Sequence, residues 1–155
     1  MGAVACLALL GGLATGCGSG AVEVDTPQLE GDDARACARL VDALPETVSD
    51  QERRQVEPED AYGAAWGDPA IVLRCGVAMP GSFDDFATCQ ETNGVGWFIP
   101  EEQLTGEPRE IVMTTIGRSQ NVEVRLPAAY WPPAAAMVDL APALKLATVE
   151  EKPCV

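Results

Sequence analysis

The spacing of apolar residues predicts an amphipathic helix in the first third of the chain. Apolar residues recur there at positions i, i+3, i+4 and i+7, namely Cys37, Leu40, Val41 and Leu44. A stripe with this spacing lies on one side of a helix, which packs on the rest of the fold through it. Asp32 offers an N-terminal cap, and Pro45 ends the helix because proline has no N–H group and disfavours helix in the residue before it. We therefore predict a helix over residues 33–44.

A continuous apolar run over residues 70–77 predicts a central strand of a sheet. Strands that are buried on both faces lack the alternation of half-exposed strands, and the only charged residue in this run is Arg74. We expect the Arg74 guanidinium to pair with a carboxylate. The alternative is a guanidinium that binds a ligand.

Two hairpins are predicted farther along the chain. Asn93-Gly94 is a strong signal for a tight turn, because both residues tolerate a positive φ angle, and a strand is expected over residues 95–99. Residues 110–116 and 121–126 predict a second antiparallel hairpin. In the latter segment apolar and charged residues alternate, so one face is packed and the other is solvated.

The remaining elements are less regular. Residues 21–24 suggest a short edge strand and residues 59–65 a short second helix. Near the C-terminus, residues 136–140 suggest a final strand and residues 142–146 a helical turn. The whole pattern predicts an α+β fold, in which one main amphipathic helix and one or two short helices pack on a small antiparallel sheet.

The first residues of the chain are typical of an export signal. Met1 to Leu13 carry no charged side chain, and this apolar stretch is shorter than the ~20 residues that a membrane-spanning helix needs. Leu13-Ala14-Thr15-Gly16-Cys17 resembles the bacterial lipobox, in which small residues fit the lipoprotein signal peptidase and the cysteine thiol receives diacylglycerol. We predict lipidation of Cys17. The expected organisation is a signal peptide over residues 1–16, a lipid-anchored flexible tether over 17–31 and a single domain over 32–155.

One feature departs from the usual signal peptide, since no Lys or Arg follows Met1. This suggests that the true start lies upstream and that a basic segment is missing. The alternatives for the N-terminus are simple secretion after cleavage and a buried N-terminal helix. The glycines at positions 11, 12 and 16 fit such a helix poorly.

The charge balance excludes some classes of partner. The chain has 10 Lys and Arg against 24 Asp and Glu, a net charge of −14, and none of these residues lies within positions 1–16. Such a surface repels nucleic-acid phosphates and anionic lipid headgroups, so nucleic-acid binding and docking on lipid through basic residues are not expected. Solubility explains the acidity. The alternative is an acidic face for a cationic partner or for Ca²⁺.

Four cysteines remain once Cys6 is removed with the signal and Cys17 carries lipid. An even number in an oxidising compartment predicts two disulfides among Cys37, Cys75, Cys89 and Cys154. Zinc is disfavoured, because the chain has no histidine and these four cysteines contain no C-x-x-C pair. Three connectivities are possible and the sequence does not choose between them. We prefer the pairs 37–75 and 89–154, which would join the helix to the central strand and hold the C-terminal tail.

Motifs for catalysis are mostly missing. Without histidine the commonest general base is absent, and there is no phosphate-binding loop, dinucleotide motif or nucleophile elbow. A carboxylate pair for hydrolysis, or a Ca²⁺ site, could be built from Asp84 and Asp85 with Glu91 or Asp139. Candidates for ligand contact are Trp66, Arg74 and Trp97. The tryptophans are more simply explained as anchors of the core.

Several segments together resemble an uncharacterised actinobacterial family, the domain of unknown function 3515 (DUF3515). They are Ala36–Leu40 with Leu44-Pro45, Ala65–Pro69, Val72–Val77, Asn93–Trp97, and Thr114–Arg118 followed by Val122–Val124. The matching region runs from about residue 22 to residue 142. The resemblance implies a small exported or lipid-anchored protein of Gram-positive bacteria and carries over no activity and no catalytic residue. It also implies that Cys37 and Cys75 belong to the shared scaffold, which favours their pairing. Cys89 and Cys154 would then be an addition in this protein, which suggests that they form a disulfide with each other.

The expected function is that of a non-enzymatic binding or interaction module of the cell envelope. We expect a monomer without cofactor or metal, held by its lipid on the outer face of the cytoplasmic membrane. Its partner would be an envelope protein or a cell-wall component. An envelope hydrolase with a carboxylate pair and an acidic Ca²⁺-dependent binding domain are the alternatives.

Overall fold

A computed structural model describes residues 20–84 and 86–154. In chain order its elements are β1 Val22–Glu23, α1 Gly31–Ala43, β2 Thr47–Val48, β3 Gln51–Arg54, β4 Val56–Glu57, β5 Gly63–Trp66, β6 Ile71–Cys75, β7 Cys89–Thr92, β8 Val95–Phe98, α2 Glu101–Leu104, β9 Ile111–Ile116, β10 Val122–Leu126 and α3 Ala134–Ala147. A short 3-10 helix, Ala128–Tyr130, precedes α3. Among the described residues, no helix has the length and apolar character needed to cross a bilayer.

Eight of the strands form one sheet in the order β2-β3-β5-β6-β10-β9-β8-β7. Every neighbouring pair in this sheet is antiparallel. β1 and β4 form a separate parallel pair in which Val22 lies beside Val56. The predicted α+β class is confirmed.

Helices α1 and α3 pack against each other and cover one face of the sheet. In β6 the side chains alternate, so that Ile71, Leu73 and Cys75 are buried beneath the helices while Val72 and Arg74 point to the other side. The predicted amphipathic helix is confirmed as α1, whose buried residues include Cys37 and Leu40. We call the face of the sheet turned away from α1 and α3 the outer face.

Both predicted hairpins form. Asn93 and Gly94 have φ angles of 51° and 78°, which a two-residue turn of this hand requires, and they join β7 to β8. β9 and β10 pair with Glu123 opposite Thr114 and Leu126 opposite Ile111. Val122, Val124 and Leu126 are buried in the core, as their alternation predicts.

Two local predictions are wrong. The segment predicted as a short helix over residues 59–65 instead contributes the fully buried strand β5, which pairs with the central strand β6. The segment predicted as a strand over residues 136–140 lies within helix α3. Its apolar residues occur on all sides of the helix, so no periodicity distinguished helix from strand. Pro142 is tolerated within α3 because it is exposed, and the carbonyl that loses its hydrogen bond belongs to half-exposed Val138.

The N-terminal segment joins the fold earlier than residue 32, where the domain was expected to begin. Val24 has 1% of its surface exposed and packs against Gly63 on the outer face. The Arg54 guanidinium donates to the Gly20 carbonyl over 2.7 Å. Part of the segment predicted as a flexible tether is therefore part of the domain.

Both disulfides have the preferred connectivity. Cys37 of α1 is bonded to Cys75 of β6, with Cα atoms 5.6 Å apart, and both residues are fully buried. Cys89 of β7 is bonded to Cys154 in the tail, with Cα atoms 5.8 Å apart. The first bond joins the helix to the central strand, and the second holds the tail across the outer face beside Gly96.

Candidate functional site

The two tryptophans considered for ligand contact lie in the core. Trp66 and Trp97 have no exposed surface, and both point to the helix side of the sheet. The Trp66 indole N–H donates to the Pro45 carbonyl over 3.0 Å. Three strands separate β5 from β8, so the two rings do not border one groove. Their burial is that of core anchors.

Arg74 lies on the outer face, where it pairs with a carboxylate. Its guanidinium donates to Glu123 over 2.7 Å and to the Asp25 carbonyl over 3.3 Å. The pair forms one wall of a shallow pocket of about 410 Å³ whose other residues include Thr26 and Val77. The expected ion pair is present, and the guanidinium borders a pocket as well.

A second pocket on the outer face is more enclosed and has a volume of about 330 Å³. Its floor is formed by sheet residues and its walls by the loop after β6 and by the C-terminal tail. We call it the tail groove and define it by Met79, Phe83, Ile116, Asn121, Lys152 and Pro153, with the Cys89 end of a disulfide at one side.

Packing fixes the walls of the tail groove. Phe83 meets Phe98 of β8 edge to face, with ring centroids 5.4 Å apart, which secures the loop. The tail is secured by its backbone, because the Glu151 and Lys152 N–H groups both donate to the Gly117 carbonyl, over 2.7 and 3.0 Å. The Cys89–Cys154 bond closes the same side.

The tail groove combines apolar walls with a few polar groups. Small-molecule sites in proteins are typically concave and mostly apolar, with a volume of about 300–1,000 Å³ and a few polar groups that orient the ligand. Asn121 and Lys152 are among its polar lining residues, and so is Asp84, whose carboxylate accepts the Phe86 N–H over 2.8 Å. The arrangement suits a small molecule with an apolar body and an anionic or hydrogen-bonding group.

The acidic residues considered for hydrolysis or Ca²⁺ binding are dispersed. Asp139 belongs to α3 and accepts the Ser49 N–H over 2.8 Å, whereas Asp84 lies on the other side of the sheet beside the tail groove. Glu91 is an exposed residue of β7, and Asp85 lies outside the described residues. Nowhere in residues 20–84 and 86–154 do three or more potential ligand side chains gather around a metal position.

Arg118 is a buried cation that sequence patterns did not single out. With 8% of its surface exposed, it donates to the Thr148 hydroxyl and carbonyl over 2.6 and 2.8 Å, and to the Gly94 carbonyl over 3.5 Å. Burial lowers the pKa of its guanidinium, and the nearby Glu150 carboxylate opposes that shift. The cation lies at the C-terminal end of α3, where the helix dipole favours positive charge. Arg118 therefore fastens the tail, and so positions one wall of the groove.

The predicted lipidation site and signal peptide lie outside the described residues. Cys17 is three residues before Gly20, at which the description begins. The lipid on Cys17 remains a prediction from the sequence.

Comparison with known proteins identifies the family and no closer relative. No curated protein and no solved structure matches the chain. The model of a family described as protein of unknown function (DUF3515) matches residues 1–154, which agrees with the resemblance seen in the separate segments. The chain belongs to the DUF3515 family.

Proposed function

We propose that the protein is a lipid-anchored binding module on the outer face of the cytoplasmic membrane, and that it acts without catalysis. The observation that carries the proposal is the lipobox-like sequence ending in Cys17, directly before a disulfide-bonded domain. Disulfides persist in oxidising compartments, and lipoprotein signals lead there. The absence of histidine from the chain favours binding over acid–base catalysis.

The short connection between lipid and domain sets how the module would be presented. Gly18 and Ser19 alone lie between Cys17 and Gly20, so the chain allows Cys17 to lie at most about 10 Å from Gly20, which contacts Arg54 of β3. β9, which forms part of the groove floor, is four strand spacings from β3, or about 19 Å. The tail groove would therefore lie on the outer face, four strand spacings from the anchored edge.

The ligand class follows from the lining of the groove. Ile116, Phe83 and Met79 can contact an apolar body, and Lys152 can pair with an anionic group. The Phe83–Phe98 contact holds the loop and the Cys89–Cys154 disulfide holds the tail, which limits the entropy lost on binding. We propose a small amphiphilic anion as the ligand.

Labelling with a fatty-acid analogue in the native host tests the anchor. The wild-type protein should be labelled and remain with the membrane, whereas Cys17→Ala should be unlabelled. Cys6→Ala is the matched control, because Cys6 lies within the segment that is removed, and this variant should be labelled like the wild type. Labelling of the Cys17→Ala protein, or loss of label in Cys6→Ala, would refute the anchor.

Binding of the dye 8-anilinonaphthalene-1-sulfonate, an apolar anion, tests the groove. Its fluorescence should rise saturably with the Cys17→Ala protein and fall in the Ile116→Glu and Lys152→Glu variants. Arg39→Glu, at an exposed site of α1 on the opposite side of the sheet, makes the same change of charge as Lys152→Glu and is the control that should leave the signal unchanged. If circular dichroism shows both groove variants to be folded and the dye fluorescence persists in them, the dye binds outside the tail groove. Because Lys152 is exposed, its substitution should leave the fold intact, and a loss of dye fluorescence would then not be due to unfolding.

A further inference from the structure

The end of the C-terminal tail is ordered with little packing. We call residues 151–154 the strap. All of them are exposed apart from Cys154, which is partly exposed, so no side chain of the strap is buried. Among the described residues the strap has two hydrogen bonds, and in both of them an N–H group, of Glu151 or of Lys152, donates to the Gly117 carbonyl. Packing and hydrogen bonding therefore contribute little to its position.

A disulfide supplies what the strap lacks. The Cys89–Cys154 bond fixes the last described residue of the strap to β7. Ordering a segment costs conformational entropy in every residue, and an exposed hydrogen bond gains little because it replaces a bond to water. Two such bonds to a single carbonyl do not offset this cost. The strap therefore depends on the cross-link to stay in place.

The two disulfides differ in their access to solvent. Cys37 and Cys75 have no exposed surface, whereas Cys89 and Cys154 are both partly exposed. Reduction requires a thiolate to reach one of the two sulfurs, so an exposed bond is reduced before a buried one. A dithiol can therefore open the second bond while the first still joins α1 to the central strand.

Reduction of the exposed bond acts directly on the tail groove. Lys152 and Pro153 of the strap line the groove, and so does Cys89. Once the strap is released, the groove keeps its floor but loses this wall, and with it the lysine that would pair with an anionic ligand. We propose that the Cys89–Cys154 disulfide is a redox switch, whose reduction releases the strap and lowers the affinity of the tail groove for its ligand. The effect on affinity rests on the proposed function, whereas release of the strap does not.

The reaction is a two-electron reduction by a dithiol. One thiolate of the dithiol attacks a sulfur of the bond, which breaks to give a mixed disulfide and one protein thiol. The second thiol of the reductant then displaces the other protein sulfur and closes the reductant's own disulfide. Overall, two electrons and two protons pass from the dithiol to the protein, and Cys89 and Cys154 become thiols. A disulfide oxidant reverses the reaction.

Alkylation after reduction tests the selectivity. In the full chain the first two cysteines are replaced by alanine, which leaves the four cysteines of the disulfides. Dithiothreitol without denaturant, followed by iodoacetamide and peptide mass spectrometry, should modify Cys89 and Cys154 and leave the buried pair unmodified until urea is added. Equal modification of all four cysteines, or of none, would contradict the difference in access.

Hydrogen exchange measures release of the strap without any ligand. On reduction, the Glu151 and Lys152 amides should exchange at least about tenfold faster, because they lose their bonds to the Gly117 carbonyl. The amides of α1 and β6 should keep their rates and are the internal control. Unchanged exchange in the strap, or equal acceleration of all these amides, would overturn the switch.

Binding of 8-anilinonaphthalene-1-sulfonate measures the effect on the tail groove. Reduction of the same protein should weaken dye binding at least about tenfold, and re-oxidation should restore it. The double variant Cys89→Ser with Cys154→Ser should bind the dye like the reduced protein and should not respond to dithiothreitol, which controls for other effects of the dithiol. Equal or tighter dye binding after reduction would overturn the switch.

The measurements distinguish failure of the switch from failure of the proposed function. An oxidised protein that binds no dye would refute the proposed ligand class and the effect on affinity that rests on it. A strap whose amides stay protected after reduction would refute the switch alone. The lipid is absent from these measurements, so the labelling experiment on the anchor is independent of them.

Discussion

Removing the two disulfides in turn tests whether their contribution to stability follows loop length or position in the fold. The variants are the double substitutions Cys37→Ala with Cys75→Ala, and Cys89→Ala with Cys154→Ala. Both remove one bond and leave no free thiol behind. The residues of the first bond are fully buried between α1 and the central strand, whereas those of the second are partly exposed near the end of the chain.

Loop length alone predicts nearly equal effects. The sequence separations are 38 and 65 residues, for which loop-closure entropy gives contributions of about 3.9 and about 4.3 kcal/mol to the free energy of unfolding. On this basis the second bond would contribute slightly more than the first.

Position in the fold predicts a clear difference in the opposite direction. Truncating the buried sulfurs of Cys37 and Cys75 also removes packing, at a cost of about 1 kcal/mol each, so the first variant should lose about 5–6 kcal/mol. Loss of the second bond lets the exposed tail around Lys152 move in the folded protein. The conformational entropy that the tail regains in the folded state contributes about 1–2 kcal/mol per released residue. This contribution offsets much of the stability that is lost with the cross-link. The second variant should lose about 2 kcal/mol or less.

Urea unfolding followed by tryptophan fluorescence measures both values, because Trp66 and Trp97 are buried in the folded state. Circular dichroism should give the same transition if unfolding is two-state. Removal of a cross-link expands the unfolded chain and changes the slope of the transition, so free energies rather than midpoints must be compared. Equal losses, or a larger loss in the Cys89–Cys154 variant, would refute the argument from position.

Two further predictions concern charged side chains. Arg118→Met should lower the free energy of unfolding by about 2–3 kcal/mol in urea titrations, because it leaves the Thr148 carbonyl without its donor. Arg39→Met at an exposed site of α1 should change it by less than about 0.5 kcal/mol, and equal effects would contradict the buried role of Arg118. A double-mutant cycle on Arg74 and Glu123 should give a coupling of about 1 kcal/mol that decreases in high salt. Absence of coupling at low salt would show that the ion pair contributes nothing to stability.

The local sequence predicted an element correctly where the residues that determine its structure all lie within one short segment. Asn93-Gly94 formed the predicted turn because its backbone angles depend on those two residues. The alternation of residues 122–126 predicted the buried face of β10, since one side of that strand is covered by the core. The stripe of α1 and the proline after it predicted a helix whose observed range is Gly31–Ala43.

The candidate site could be predicted only in part, because its residues come from separated segments. The ion pair of Arg74 was expected, although its partner Glu123 is 49 residues away and was not named. The tail groove was not foreseen, since its walls meet only when the C-terminal tail crosses β8 and β9. Arg118 carries no sequence signal, because an arginine after a strand is usually exposed.

What the sequence by itself determined was the fold class, the main helix, both hairpins and the expectation of two disulfides, whereas their connectivity was left open. Each depends on periodicity, on turn residues or on counting within the chain. The tertiary structure decided the state of Ala134–Ala147, because a segment that is apolar on every side satisfies helix and strand patterns equally. It became a helix since the buried face of the sheet, with Trp97 at one end, requires a cover that a further strand would not provide. The same choice left Val138 and Leu146 exposed on the side of α3 turned away from the sheet.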